Sequence, residues 1–385
     1  MSGAEPRKRV LLLEQGEGLW GPQRALLSLA PLLEDLGFDQ ILAGPTGPLA
    51  DAWLAAGRSH ECVPAPRTRS IRNATGRLSV WRAAREVART ALSSLRIARI
   101  ARRNRVDVIV AHNHWSHLEG VLAGKLARVP VIVHLHEHHE EDALGRLRRF
   151  AVTSAQRTVA VSDSIRRGLP ETSWSRMEVI RNGTAATTAV PDETIVRLRA
   201  ELGTTGRVVV ALARYQPEKG LDDLIEAVAL LPAELDDVHV LLAGGSREDD
   251  SYERYLRRLA EDRAPGKVQF LGFRDDAAAL LALAEVCVLP SRREGLPLVA
   301  LEAQAAGCPL IAAAVGGIPE VVEHEATGLL FPPGDVEALS AALRRLLDDA
   351  ALRERLRRAA LERVAREGTL ERQAEAFAGV LRPLV

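Results

Sequence analysis

Short runs of valine, isoleucine and leucine, each followed by an amphipathic stretch, recur along this chain and then begin again halfway. In the first half the runs are Val10–Glu14, Gln40–Ala43, Val108–His112, Val131–Leu135, Thr158–Val161 and Val179–Arg181. Helical spacing fills Pro22–Leu36, Pro48–Ala56, Leu78–Arg103 and Leu118–Ala127. Strands of continuous apolar residues must be buried on both faces. A parallel sheet covered by crossover helices buries them in that way.

The pattern restarts after residue 184, with strands at Val208–Ala213, Val238–Ala243, Val268–Leu271, Val286–Leu289 and Leu310–Ala313. Helices are expected at Leu221–Leu231, Tyr252–Glu261, Ala277–Ala284 and Leu298–Ala306, and beyond Gly334 to the end. The expected fold class is α/β, with two doubly wound Rossmann-like domains spanning residues 1–183 and 184–370. Thr184–Pro191 reads as the linker. A chain of 385 residues is longer than one core usually holds. Ligands of such sheets bind outside the C-terminal strand edges, so a substrate cleft between two domains is expected.

Hydrophobic residues at 47% and charged residues at 26% exclude disorder as the main state. Zero net charge hides an asymmetry. Residues 1–183 hold 27 Lys/Arg against 18 Asp/Glu, and residues 184–385 hold 24 against 33. Residues 67–105 carry 12 Arg and one acid, Glu86. That stretch can face an anionic or lipid-linked acceptor, make peripheral contact with a membrane, or form a solvated helix face. No nucleic-acid partner is expected. Cys62, Cys287 and Cys308 are too few and scattered for a disulfide framework or zinc finger, and Cys287 reads as core. The apolar run Val10–Leu13 is too short for a signal peptide or a membrane span. A cytoplasmic setting, extending to the inner membrane face, is expected.

Four segments carry chemistry. In Val288-Leu-Pro-Ser-Arg-Arg-Glu294-Gly-Leu-Pro-Leu-Val-Ala-Leu-Glu302, a strand ends, a polar loop follows, and Pro297 suits the first turn of a helix. The free amides near Leu298 and Val299 form an anion site, and Glu294 and Glu302 can grip hydroxyls on either side of it. In Val209-Val-Ala-Leu-Ala-Arg214-Tyr-Gln-Pro-Glu-Lys219-Gly220, Lys219 stands at a helix start, where a cation opposes the helix dipole. An anionic ligand would offset that cost, and Arg214 with Lys219 can neutralise a diphosphate leaving group.

The third segment, Gly16-Glu-Gly18-Leu-Trp-Gly21, has the G-x-G-x-x-G spacing of a dinucleotide-binding turn. An NAD(P)-dependent oxidoreductase is therefore an alternative. It lacks the acid that should end the second strand, since Asp39 sits at that strand's other end. Gly21 instead lets a helix start approach a donor's phosphate or sugar. The fourth segment holds seven of the ten histidines, between His112 and His139. Strand alternation puts His134 and His136 on one face. No pair has the H-E-x-x-H spacing of a helical zinc site. One imidazole lining the cleft is expected. A metal site, with Glu137, Glu140 and Asp142 nearby, is the open alternative. The chain has no D-x-D motif for a divalent ion on a diphosphate, so no metal or other cofactor is expected.

At these residues the chain resembles the retaining glycosyltransferases of family four, which have the GT-B architecture. The E-x7-E motif of that family is similar to Glu294 through Glu302, and its phosphate-binding Arg and Lys are similar to Arg214 and Lys219. Its Gly-Gly loop resembles Trp20-Gly21, keeping the second glycine alone. Its cleft histidine, after a V-P-V-I-V-x-x-H strand, resembles His136. Asn182-Gly183, Leu242-Ala-Gly244-Gly, Phe270-Leu-Gly-Phe273, Gly316-Gly-Ile-Pro-Glu320 and Gly328-Leu-Leu-Phe-Pro-Pro-Gly334 resemble further family segments. The resemblance implies metal-independent transfer of a hexose or hexosamine from a nucleotide-diphosphate sugar, with retention. It gives Glu294 the sugar hydroxyls and Glu302 the ribose. The backbone of Gly295, Leu296, Pro297, Leu298 and Val299 falls to sugar and phosphate, and that of Gly244 and Phe273 to base and ribose. It also implies that residues 371–385 cross back to the first domain. A sugar-nucleotide epimerase of the same architecture is a further alternative.

Overall fold

The computed structural model describes residues 7–16, 18–65, 80–138, 143–187, 189–246 and 250–385. The chain forms two compact units, Met1–Asn182 with Leu370–Val385, and Gly183–Thr369.

The first unit runs β1 (Lys8–Leu13), α1 (Gly21–Asp35), β2 (Phe38–Gly44), α2 (Pro48–Ala55), β3 (Ser59–Cys62), α3 (Val80–Arg103) and β4 (Val108–Ala111). It continues with α4 (His117–Ala127), β5 (Val131–Leu135), α5 (Ala143–Ser154), β6 (Arg157–Ala160), α6 (Asp163–Arg167) and β7 (Met177–Val179). Its sheet is parallel, in the order β3-β2-β1-β4-β5-β6-β7. Strand order reverses between β1 and β4, and the chain ends that diverge there open a place for a ligand.

The second unit runs α7 (Asp192–Glu201), β8 (Arg207–Leu212), α8 (Leu221–Ala229), β9 (Val238–Ala243), α9 (Ser251–Arg263), β10 (Val268–Gly272) and α10 (Ala277–Leu283). Then follow β11 (Val286–Leu289), α11 (Leu298–Ala305), β12 (Leu310–Ala313), α12 (Ile318–Val321), β13 (Leu329–Phe331), α13 (Val336–Asp348) and α14 (Ala350–Glu367). Its parallel sheet has the order β10-β9-β8-β11-β12-β13, so its reversal lies between β8 and β11. The doubly wound α/β class expected from the apolar runs is the one observed, twice.

Two strands escape the apolar-run reading, and both are edges. β3 is the polar run SHEC, with its side chains half-buried or exposed. An edge strand has one neighbour and one covered side, so it needs no continuous apolar run. β13 lies inside the Gly328–Gly334 segment and is three residues long. Thr184, in the expected linker, forms a parallel bridge to Thr369, and its amide donates to the Gly368 carbonyl at 2.8 Å.

The last helix, α15 (Leu370–Leu381), belongs to the first unit. Its apolar face, Ala374, Phe377, Ala378 and Leu381, joins the same core as Leu26, Leu29, Ala30 and Leu33 of α1. Phe377 is 3% exposed. Phe377→Ala is therefore expected to destabilise this unit by about 3–5 kcal/mol, read as a lower urea midpoint. An unchanged midpoint would mean that α15 docks without contributing to the core.

Candidate active site

At the β8/β11 reversal the chain leaves β8 through Ala213 and Arg214. Gly244 presses against this exit: its φ is +147°, and a Cβ there would sit 1.8 Å from the Ala213 carbonyl oxygen. Pro217–Lys219 makes one short 3-10 turn, and Gly220 (φ +62°) precedes α8. A Cβ on Gly220 would meet the Pro290 carbonyl oxygen at 2.1 Å, so the loop after β8 lies directly on the end of β11.

Lys219 therefore stands in the turn before α8, outside the helix start that the sequence suggested. Its ammonium donates to Glu294 Oε1 at 2.7 Å, and Ser291 Oγ donates to the same oxygen at 2.7 Å. The first turn of α8 carries Asp222 and Asp223, charges that suit the helix dipole. The unfavourable cation inferred from sequence is thus met by a carboxylate of the protein itself. Arg214 is half-buried and has no carboxylate partner among the described residues. It is the cation that lies open to an anion.

Arg292 is a residue that the sequence reading passed over. Its amide donates to the Glu218 carbonyl at 2.8 Å, and its guanidinium donates to the Pro217 carbonyl at 2.9 Å and to Asp222 at 3.0 Å. It joins the two loops that carry Lys219 and Glu294. Burial raises the Asp223 carboxyl above the usual carboxylate range, with Arg292 opposing. Gly316 and Gly317 hold Glu294 from the other side. A Cβ on Gly316 (φ +55°) would fall 1.9 Å from the Glu294 carbonyl oxygen, and the Gly317 amide donates to Gly295 at 2.8 Å.

Pro297 is the residue just before α11, and Leu298 begins the helix. Proline offers no side-chain acceptor to the first turn, so the amides around Leu298 and Val299 lack a side-chain cap. Glu302 is half-buried on α11, and after burial and Cys308 its charge helps to hold the buried Cys287 thiol above its ordinary value. Arg214, Lys219, Glu294 and Gly295–Val299 thus follow the ends of β8 and β11, and Glu302 lies within α11 beyond them. Phe273 stands beyond β10, two strands from β8. It is 59% exposed, and its ring lies so close to Gly245 that a Cβ there would be 2.7 Å away.

In the first unit, Gly21 is the first residue of α1, and the Trp20 amide donates to Gln23 Oε1 at 3.2 Å. At the β1/β4 reversal, buried Glu14 meets buried His112, with Oε2 and Nδ1 2.9 Å apart. The Gly16 amide donates to Glu14 Oε1 at 2.6 Å, and Asn113 donates to the same oxygen. Burial alone would raise the Glu14 carboxyl; His112, the Gly16 amide and Gln23 outweigh it and hold it below the usual range.

His134 and His136 lie at and beyond the end of β5, with ring centroids 4.1 Å apart; His136 is 4.4 Å from His112. The Phe377 ring is 5.3 Å from His134. Burial, and then the neighbouring imidazoles, keep His134 and His136 well below the ordinary histidine pKa. His114 pairs with Glu137, and His117 Nε2 lies 3.1 Å from the His134 carbonyl oxygen. Of the expected neighbours, His139, Glu140 and Asp142 lie outside the described residues, as does Glu17 of the glycine segment.

Two family profiles match the chain in succession: "Glycosyltransferase Family 4" over residues 21–187 and "Glycosyl transferases group 1" over residues 195–363. The chain belongs to glycosyltransferase family four. A relative in Corynebacterium glutamicum, a GDP-mannose-dependent monoacylated alpha-(1-6)-phosphatidylinositol monomannoside mannosyltransferase, is 40% identical over 42% of this chain and 44% of its own. The N-acetyl-alpha-D-glucosaminyl L-malate synthase of Bacillus anthracis is 29% identical over 66% of this chain and 68% of its own. A D-inositol 3-phosphate glycosyltransferase of Salinispora tropica is 40% identical over 41% of this chain and 34% of its own. The match thus spans less than half of two of these three relatives.

Among solved structures, Anabaena HepE in complex with UDP and glucose has a TM-score of 0.85 at 22% identity, covering 98% of this chain and all of that one. The sucrose-phosphate synthase of Thermosynechococcus elongatus has a TM-score of 0.78 at 22% identity, covering 98% of this chain and 99% of that one. These likenesses assign the GT-B fold. The oxidoreductase alternative drawn from Gly16–Gly21 is not favoured by the matches.

The family-four unit that carries the imidazoles is expected to be acid-labile. An unfolded histidine takes up a proton near pH 6.5, whereas His134 and His136 in the fold resist it. The unfolded state then binds more protons as pH falls below that value, and stability declines by at most about 1.4 kcal/mol per pH unit for each group. The urea midpoint should drop between about pH 7 and 5.5, with a shallower slope in His134→Gln. Parallel slopes in variant and parent would refute this account.

Proposed function

We propose that this chain transfers a hexose or hexosamine from a nucleotide-diphosphate sugar to an acceptor hydroxyl, with retention and without a metal ion on the diphosphate. The observation that carries this reading is the β8/β11 end. There Glu294 is already held by Lys219 and Ser291, and Arg214, just past β8, has no carboxylate partner among the described residues.

Charge builds on the departing phosphate as the glycosidic bond breaks. Lys219 and the first-turn amides of α11 are held in place before that moment, so they stabilise the charge with little reorganisation, and Arg214 adds a cation open to the phosphate. Glu294 Oε2 takes sugar hydroxyls, Glu302 takes the ribose, and Gly244, Phe273 and the Gly295–Val299 backbone bound the base, ribose and sugar. On the family resemblance Gly21 is assigned to the donor's phosphate or sugar, and His136, a neutral imidazole, to the sugar. Same-face attack by the acceptor, whose proton passes to the leaving phosphate, gives retention without a protein nucleophile. UDP and glucose in HepE, and GDP-mannose in the name of the corynebacterial relative, support a nucleotide-sugar donor.

The double variant Arg214→Ala/Lys219→Ala is expected to lose about 10²–10³-fold or more in turnover, as when fixed oxyanion donors are removed. Turnover should survive chelation of divalent ions. Full activity in the double variant, or its abolition by chelator, would overturn the reading. Donor consumed in the absence of any acceptor would point to an epimerase instead.

The acceptor is anionic or lipid-linked. Relatives named for a phosphatidylinositol mannoside and for D-inositol 3-phosphate support this. So does α3. It exposes Trp81, Val87 and Leu92 at 76%, 70% and 67%, alongside exposed Arg85, Arg96 and Arg99. At 100° per residue Trp81 and Leu92 share one helix face with Arg85, Arg96 and Arg99, and Val87 lies on another; a mixed apolar and cationic face suits the interface of an anionic membrane. The arginines of residues 67–79 lie outside the described residues. Among the described residues no helix is long and apolar enough to cross a membrane. Replacing Trp81, Val87 and Leu92 with serine should cut co-sedimentation with anionic vesicles at least tenfold and spare donor binding. Undiminished co-sedimentation would leave α3 a solvated face.

A further inference from the structure

Transfer as proposed engages only His136 among the imidazoles at the β1/β4 reversal and leaves the others without a task. His112, His134 and His136 each offer a ring nitrogen, and these three atoms lie within 4.8 Å of one another. Nitrogens bound to one tetrahedral zinc ion at about 2.0–2.1 Å stand about 3.4 Å apart, so a contraction of about 1.5 Å at most would close the set on a cation.

The cluster also has unmet polar atoms. Both ring nitrogens of His134 and Nε2 of His136 are buried without a hydrogen-bond partner. Buried polar atoms are rarely left so, and a cation that takes up one imidazole lone pair per ring would relieve one nitrogen each of His134 and His136. His112 adds a third feature. Its Nδ1 is held by the Glu14 carboxylate, which leaves Nε2 for a ligand. A carboxylate behind a histidine fixes the ring and raises its basicity, as it does for metal-bound histidines in general. Glu14 also supplies buried negative charge to set against a cation. Phe377 closes one side with an apolar ring.

We propose that His112, His134 and His136 form a binding site for a borderline divalent transition-metal ion of the zinc class, with Glu14 orienting His112. Three imidazoles select such an ion over magnesium or calcium, which take oxygen ligands. The site leaves a fourth coordination position open. Its three ligands belong to the first unit, and the cations proposed for the diphosphate, Arg214 and Lys219, belong to the second. His136 is common to both proposals, so an ion here would restrain the ring that meets the sugar.

The test is a titration of the full chain, stripped with chelator and desalted, with Co²⁺ as a spectroscopic stand-in for zinc. The expected result is a visible band that saturates at one Co²⁺ per chain and is displaced by one equivalent of Zn²⁺. His134→Gln and His136→Gln should each weaken binding by at least about 100-fold, and Glu14→Gln by about 10–100-fold. Circular dichroism identifies variants that fold. His136, which is only half-buried, serves if the His134 variant does not. A band that never saturates, or one of equal strength in the folded histidine variants, would overturn the proposal. The readout needs no donor or acceptor, so it can fail while the transferase reading stands, and the reverse.

Discussion

A parallel sheet covered by helices on both faces has no open side, and chemistry can reach it only at the strand ends. That constraint governs both units of this chain. Strand order reverses once in each sheet, at β1/β4 and at β8/β11. At a reversal the two neighbouring strands send their chains to opposite faces, so their loops part and leave room for a ligand. The buried Glu14–His112 pair stands at one reversal, and the Lys219–Glu294–Ser291 group stands at the other.

The two places solve different electrostatic problems. In the second unit most of the charged groups are partnered before any ligand arrives. Glu294 is ordered by one cation and one hydroxyl, Arg292 ties the neighbouring loops through backbone carbonyls and Asp222, and Arg214 is left for an anion. Glycines at 220, 244 and 316 allow backbone segments to approach so closely that a Cβ would collide with a carbonyl oxygen. Precision here comes from backbone packed on backbone, which holds side chains that are themselves long and flexible.

In the first unit, burial keeps His134 and His136 neutral, while a single carboxylate is retained by its hydrogen bonds. The C-terminal helix supplies Phe377 to the same surroundings, although more than two hundred residues separate it from the imidazoles. The core of this unit and the environment of its histidines therefore depend on a segment from the far end of the chain.

The α/β class, the run of strands and most helices were legible in the residues themselves, because an apolar run of Val108–Ala111 or Val286–Leu289 satisfies its burial locally and shows it in its composition. The edge strand Ser59–Cys62 was not, since a strand with one neighbour needs no such run. At the site, the sequence by itself determined which residue types stand at the strand ends: Arg214, Lys219, Glu294, Glu302 and the clustered histidines. Only the tertiary structure decided their partners. Lys219 answers Glu294 from 75 positions away, Arg292 bridges two loops, and Glu14 lies against His112 across 98 positions. Spacing along a chain reports neighbours within one helix or strand. The partner of a buried charge is chosen by which strands lie side by side, and that is settled only when the sheet closes.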